Sequence, residues 1–408
     1  MKISCIEPVL APYSIPRFTA LQALRRDDTV ELMALGATER IHEWQVRKAD
    51  LGFDYVEAFP GETIDQIDSK ALAARITRWL DDSDPHVVLI TGYYYAAMRT
   101  AARWAKRHRR VSIFLGDSHW EDRPRTAIKE SLKGWWVRRH YDAAFAAGEQ
   151  TAAYLVRMGF PREWIWTGYD VVDNQAFADG AAAARSQGDS LRNRLGLPEC
   201  YFLFVGRFSP EKNVIGMLEA YATYRQAAGL RAWGLVMVGG GPQEPMLRAR
   251  AQELRDVVFA GFQQVDAVPA YYGLASCLVL PSVSETWGLV VNEAMAAGLP
   301  VLVSHRCGCV PELVRPGVNG YVCDPFNIDS MARLMGVMSS DTADVSKMGE
   351  ASRQIVALYT PETWAQTLAD CIDRTLACKQ KNVEECSFRW LSPGFWLQKQ
   401  DAESRIRN

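Results

Sequence analysis

The sequence predicts an α/β protein of two doubly wound parallel-sheet lobes facing each other across a cleft. Short apolar runs alternate with helical patterns almost throughout, which is the pattern of βαβ units. The runs fall into two series, divided by an Ala-, Gly- and Ser-rich stretch at 179–189. A chain of 408 residues is long enough for two large domains at roughly 150 residues or more each. With 48% hydrophobic and 23% charged residues, both near globular averages, it can bury enough apolar surface to offset chain entropy.

In the first series, strands are expected at 2–6, 29–35, 86–91, 111–116, 143–147 and 164–168, with helices such as 69–80 and 95–108 between them. A hinge is expected near 168–177. The second series places strands at 201–206, 234–239, 257–261, 277–281 and 300–304. Right-handed crossovers turn each series into an open, Rossmann-like sheet whose ligand crevice lies beyond the carboxyl ends of its strands. A last helix at 362–378 precedes a polar, Trp-bearing tail. The expected division is a first lobe at 1–170, a second at 171–360, and a helix and tail at 361–408 packing back on the first lobe.

The 46 basic and 48 acidic side chains leave a formal charge of −2, so no overall field recruits nucleic acid. Nine scattered cysteines form no paired zinc spacing and no dense disulfide framework, which fits a reducing compartment. Cys307 and Cys309 are the closest pair and are read as loop and core residues. The start of the chain has no signal-like apolar run, and no stretch of eighteen apolar residues occurs. The cytoplasm is the expected location.

Two stretches carry chemistry. In 281–300 a strand ends at Pro281, a polar loop follows, and a helix is expected from near Gly288 to Gly298. The N–H groups of Gly288, Leu289 and Val290 at that helix start, together with its dipole, suit an anion. Glu285 before the helix and Glu293 within it can flank a bound phosphate and accept from sugar hydroxyls. They are equally readable as a capping residue and a solvated helix position. In 205–213 an apolar strand ends at Gly206-Arg207, and Lys212 lies five residues on. The two cations suit a diphosphate leaving group, or are plain surface charges.

Val205–Asn213, Val238-Gly-Gly-Gly-Pro242, the Glu285-to-Glu293 spacing and Pro311-Glu-Leu-Val together resemble glycosyltransferase family 4, the retaining GT-B enzymes. The resemblance implies a transferase moving a sugar from a nucleotide-sugar donor to a hydroxyl acceptor with retention, in surface polysaccharide or lipid-linked saccharide synthesis. It implies that Arg207 and Lys212 bind the donor diphosphate, Glu285 the sugar and Glu293 the ribose. The donor site would also include Gly206, Gly240, Trp287, Gly288, Leu289 and Val290, with Phe259, Gly261 and Phe262 beside the base and Asp170 in the hinge. The nucleotide sugar is a substrate, and neither cofactor nor metal is expected. Rival readings are a GT-B enzyme for cyclitol coupling or nucleotide-sugar epimerisation, and a non-catalytic GT-B binding subunit.

The first lobe departs from that family. Where relatives carry a glycine pair, this chain has Pro8-Val-Leu-Ala-Pro-Tyr-Ser-Ile-Pro16. Asp117 and His119, after the strand ending at Gly116, are assigned to the acceptor side, with a cap as the alternative role for Asp117. Asp82-Ser83-Asp84 imitates a metal motif, but its place between helix and strand suits caps and turns. From 99 to 140 there are twelve Lys and Arg against four Asp and Glu, interleaved with Trp104, Trp135 and Trp136. A peripheral contact with anionic lipid at the inner membrane face is expected through 129–140, the same composition suiting an anionic acceptor or a solvated helix face.

Overall fold

The computed structural model describes residues 1–39, 44, 46, 48 and 51–381. The tail expected beyond the last helix lies outside the described residues from 382 onward. Seven strands form the first sheet: β1 (Lys2–Glu7), β2 (Thr29–Ala34), β3 (Asp54–Glu57), β4 (Val87–Thr91), β5 (Val111–Gly116), β6 (Ala143–Ala146) and β7 (Ile165–Thr167). Six form the second: β8 (Tyr201–Val205), β9 (Gly234–Val238), β10 (Val257–Gly261), β11 (Cys277–Leu280), β12 (Val301–Ser304) and β13 (Gly320–Cys323). Their spatial orders are β3-β2-β1-β4-β5-β6-β7 and β10-β9-β8-β11-β12-β13. All neighbours pair in parallel.

The first sheet is covered by α1 (Ser14–Leu24), α2 (Ser69–Ser83), α3 (Ala96–Arg107), α4 (Ala127–His140) and α5 (Glu149–Arg157). Then α6 (Asn174–Leu195) leads into α7 (Val214–Ala228), α8 (Glu244–Ala251), α9 (Val268–Leu274), α10 (Leu289–Ala296), α11 (Val310–Leu313), α12 (Ile328–Met338) and α13 (Val345–Val356). Helices on both faces explain why the central strands read as continuous apolar runs: Val87 to Ile90 and Leu235 to Met237 are fully buried. The edge strands β3 and β13, only partly buried, lack that signal and were not expected from the sequence.

The Ala-, Gly- and Ser-rich stretch at 179–189 lies within α6, kinked at Gly188. Its small side chains let α6 lie close on α9, where a Cβ at Gly180 would stand 2.5 Å from Pro269. The final helix, α14 (Pro361–Lys381), returns to the first lobe. There the Trp364 ring centroid lies 5.3 Å from Phe18 and 5.8 Å from Phe145, and Arg25 pairs with Asp373 at 2.6 Å. Across the hinge, the Arg17 guanidinium donates through Nε and Nη2 to the Val171 carbonyl at 3.0 and 2.6 Å. Strand order reverses between β1 and β4 in one sheet and between β8 and β11 in the other, so a crevice opens at each switch point.

Candidate active site

The second-lobe switch point brings the two motif stretches together. After β8 the chain turns at Gly206 (φ 151°), whose carbonyl would lie 2.0 Å from any Cβ at Gly239, so the loops after β8 and β9 stack backbone on backbone. The Phe208 N–H donates to the Gly240 carbonyl at 2.8 Å and locks that stack. Arg207, half-buried, forms no ion pair with the described residues. Lys212 closes a short turn (Pro210–Lys212), and its ammonium donates to Glu285 Oε2, which also accepts from Ser282 Oγ at 3.2 Å. Burial works against the Lys212 charge, but the Glu285 carboxylate outweighs it and holds the ammonium pKa above its ordinary value.

Gly288 sits before α10 at φ 107°, where a side chain would be strained. It precedes the first N–H groups of α10, Leu289 and Val290, which a helix start leaves without intrahelical acceptors and which no side chain caps. One helical turn further, Glu293 is almost wholly buried, and burial raises its pKa. Its Oε1 accepts from Tyr13 Oη at 2.6 Å and its Oε2 from Tyr272 Oη at 2.6 Å. Glu293 is therefore not a solvated helix position, and Glu285 does not cap α10, its carboxylate being held by Lys212 and Ser282.

From the first lobe, Asp117 Oδ2 accepts from Thr286 Oγ1 at 2.7 Å, and burial raises the Asp117 pKa. His119 Nδ1 accepts from the Glu121 N–H at 3.2 Å, so Nε2 carries the proton and donates to the Glu285 carbonyl at 3.0 Å. With both nitrogens engaged, His119 positions the Glu285 loop and offers no free base to an acceptor. Arg306 donates to the Glu121 carbonyl at 2.6 Å and Ser284 to the Asp122 carbonyl, tying the same loops together.

The other expected residues differ in their surroundings. The Trp287 indole is buried, donates to Asn292 at 2.9 Å and would touch a Cβ at Gly148, so it packs between the lobes. The Phe259 ring lies under Arg248 at 4.4 Å and T-shaped to Phe208 at 6.1 Å, whereas Phe262 is 45% exposed. Gly261 accepts from the Gly239 N–H at 2.8 Å at the end of β10. Asp170 is buried 3.5 Å from Arg17, and burial pushes its pKa up to about 7. Asp84 caps α2 and pairs with Arg110 at 2.6 Å, as its turn position predicts. Tyr13, Tyr272, Thr286 and Arg306 were missed from sequence; only Tyr13 left a signal, as the hydroxylated aromatic within the segment replacing a glycine pair.

The basic helix α4 splits its tryptophans. Trp136 packs against Tyr93, His140 and Tyr141, which removes it from the expected aromatic anchor. Ile128, Leu132 and Trp135 are 78%, 65% and 56% exposed and, with Arg139, follow a helical spacing along one stripe. Lys133 is bound to Glu130 and Arg138 to the Met158 carbonyl, which leaves Lys129 and Arg139 as the exposed cations on that helix. No helix among the described residues is long and apolar enough to cross a membrane.

Residues 189–355 match the family described as Glycosyl transferases group 1. Among curated proteins, the chain is 30% identical over 197 residues to a lipopolysaccharide 1,2-N-acetylglucosaminetransferase of Salmonella typhimurium, covering 45% of this chain and 51% of that protein. It is 31% identical over 248 residues to a 2-deoxystreptamine glucosyltransferase of Streptomyces kanamyceticus, covering 58% and 61%. The chain thus spans about half the length of the curated relatives it matches. Among solved structures, Anabaena Alr3699/HepE in complex with UDP superposes with a TM-score of 0.70 at 17% identity, over 92% of this chain and 100% of that one. Sucrose-phosphate synthase from Thermosynechococcus elongatus gives 0.69 at 17% identity, over 93% and 100%. Two facing Rossmann-like lobes, paired across loops 117–122 and 282–286, are the GT-B architecture, and the second lobe of this chain matches the glycosyl transferases of group 1.

Proposed function

We propose that this chain is a metal-independent, nucleotide-sugar-dependent glycosyltransferase that retains anomeric configuration. The observation that carries the reading is the gathering of Arg207, which has no ion pair among the described residues, the Lys212–Glu285 pair and the start of α10 at the β8/β11 switch point. Arg207, Lys212 and the α10 N–H groups hold the donor diphosphate, Glu285 accepts from sugar hydroxyls, and Glu293 accepts from the ribose. Asp117, fixed on Thr286, borders the acceptor side. In the front-side reaction the acceptor oxygen bonds to the anomeric carbon on the face the phosphate leaves. The carbon–phosphate-oxygen bond breaks, and the leaving phosphate oxygen takes the acceptor proton. The cations stabilise charge that grows as that bond breaks, and this is differential binding of the transition state.

The test is a thermal-shift screen of nucleotide sugars, followed by donor hydrolysis with the best binder in the presence and absence of EDTA. A donor at 100 times its dissociation constant adds about 2.7 kcal/mol to stability. Hydrolysis is expected to survive EDTA, because protein groups already neutralise the diphosphate. Activity lost in EDTA and restored by Mg or Mn overturns the metal-independent reading. A screen with no binder overturns the donor reading and favours a non-catalytic subunit.

The α4 stripe supports a second proposal, that the first lobe docks on anionic lipid bearing or surrounding the acceptor. Basic residues near such a surface contribute about 1 kcal/mol each, over a Debye length of about 8 Å at physiological salt. Cosedimentation with phosphatidylglycerol vesicles is expected to rise with anionic fraction and fall with salt. Exchanging Lys129 and Arg139 for Gln and Trp135 for Ser is expected to abolish it without changing hydrolysis of a soluble donor. Wild-type protein that ignores anionic vesicles at low salt shows that the stripe serves something other than lipid.

A further inference from the structure

We propose that Tyr13 is a latch between the lobes that a nucleotide ribose displaces from Glu293, so that donor binding and release of the loop after β1 are one event. This rests on the reading of Glu293 as the ribose acceptor. Glu293 lies on α10 of the second lobe, and Tyr13 immediately precedes α1 of the first. Their 2.6 Å hydrogen bond spans 280 residues of sequence and bridges the cleft.

With Tyr272 on Oε2 and Tyr13 on Oε1, each carboxylate oxygen of Glu293 already accepts a strong donor. A ribose diol reaching this nearly buried group competes with one of the two tyrosines. Tyr272 is the worse candidate for displacement. It sits on α9 of the same lobe, fully buried, with its ring edge-on to Phe177 at 6.0 Å. Tyr13 lies on the opposite lobe, partly exposed, T-shaped to Trp44 at 5.9 Å. The start of α1 is itself fixed, by Ser14 Oγ on Glu7 at 2.7 Å and by Arg17 on Val171. Displacement therefore falls on the Tyr13 side chain and the Pro-flanked loop at 8–12. Burial raises the Glu293 pKa and makes each hydroxyl donor to it worth more, so a hydroxyl that leaves must be replaced in kind.

The experiment measures the dissociation constants of UDP, GDP and ADP and continues with the tightest. Tyr13→Phe removes one hydroxyl and its competition, and is expected to tighten binding by about three- to tenfold. The gain is expected to vanish in the Glu293→Gln background, and also for the 2′,3′-dideoxy form of the same diphosphate. On the unaltered protein, the ribonucleotide is expected to speed amide exchange in residues 8–13, and the dideoxy form is not. Unchanged or weaker binding by Tyr13→Phe, with slowed or unaffected exchange, overturns the latch while a loss in Glu293→Gln keeps the ribose reading. If Glu293→Gln binds the diphosphate like wild type, the ribose reading falls, and the latch falls with it.

Discussion

Arg207→Ala is expected to lower turnover by about 100-fold or more, with the fold intact. Arg207 follows β8 at the switch point and makes no ion pair with the described residues, so its removal orphans no buried partner. Stability should consequently shift by no more than about 0.5 kcal/mol, as for other substitutions that break no buried contact. Its loss falls instead on the transition state, where charge builds on the leaving diphosphate and one preorganised donor is worth about two to three orders of magnitude. Turnover and thermal midpoint measured on the same preparation separate these effects. Wild-type turnover in a folded variant would remove Arg207 from the clamp.

Glu285→Gln should act differently, because this carboxylate has two tasks. It neutralises the largely buried Lys212 ammonium and, in the proposed reaction, accepts from donor sugar hydroxyls. The amide keeps the shape and one acceptor oxygen but loses the charge. Turnover is expected to fall by about 10- to 100-fold, the worth of a hydrogen bond to a charged group. Affinity for the free nucleoside diphosphate should hold or rise, since Lys212 is released toward phosphate. Glu293→Gln, by contrast, should weaken the free diphosphate, whose ribose it meets. Equal loss of diphosphate affinity in the two variants shows that sugar and ribose have been assigned to the wrong glutamates.

The sequence by itself determined what local chemistry can encode. Central strands such as Val87–Thr91 and Gly234–Val238 are short apolar runs between polar turns, because a strand covered on both faces leaves no room for polar alternation. Gly206-Arg207 and the Glu285-to-Glu293 segment were legible for the same reason: a strand end, a loop and a helix start lie within a few residues of one another. Edge strands such as Asp54–Glu57, half in water, carry too weak a pattern to be seen. Only the tertiary structure decided who meets whom across the cleft. Trp287, chosen for a donor site, turns its indole toward Gly148, and His119 spends both nitrogens on backbone groups 2 and 166 residues away. Tyr13 reaches Glu293 from 280 residues away. Such contacts are set by how two independently patterned sheets dock, and a hydrogen bond between lobes leaves no periodicity in either of the segments that make it.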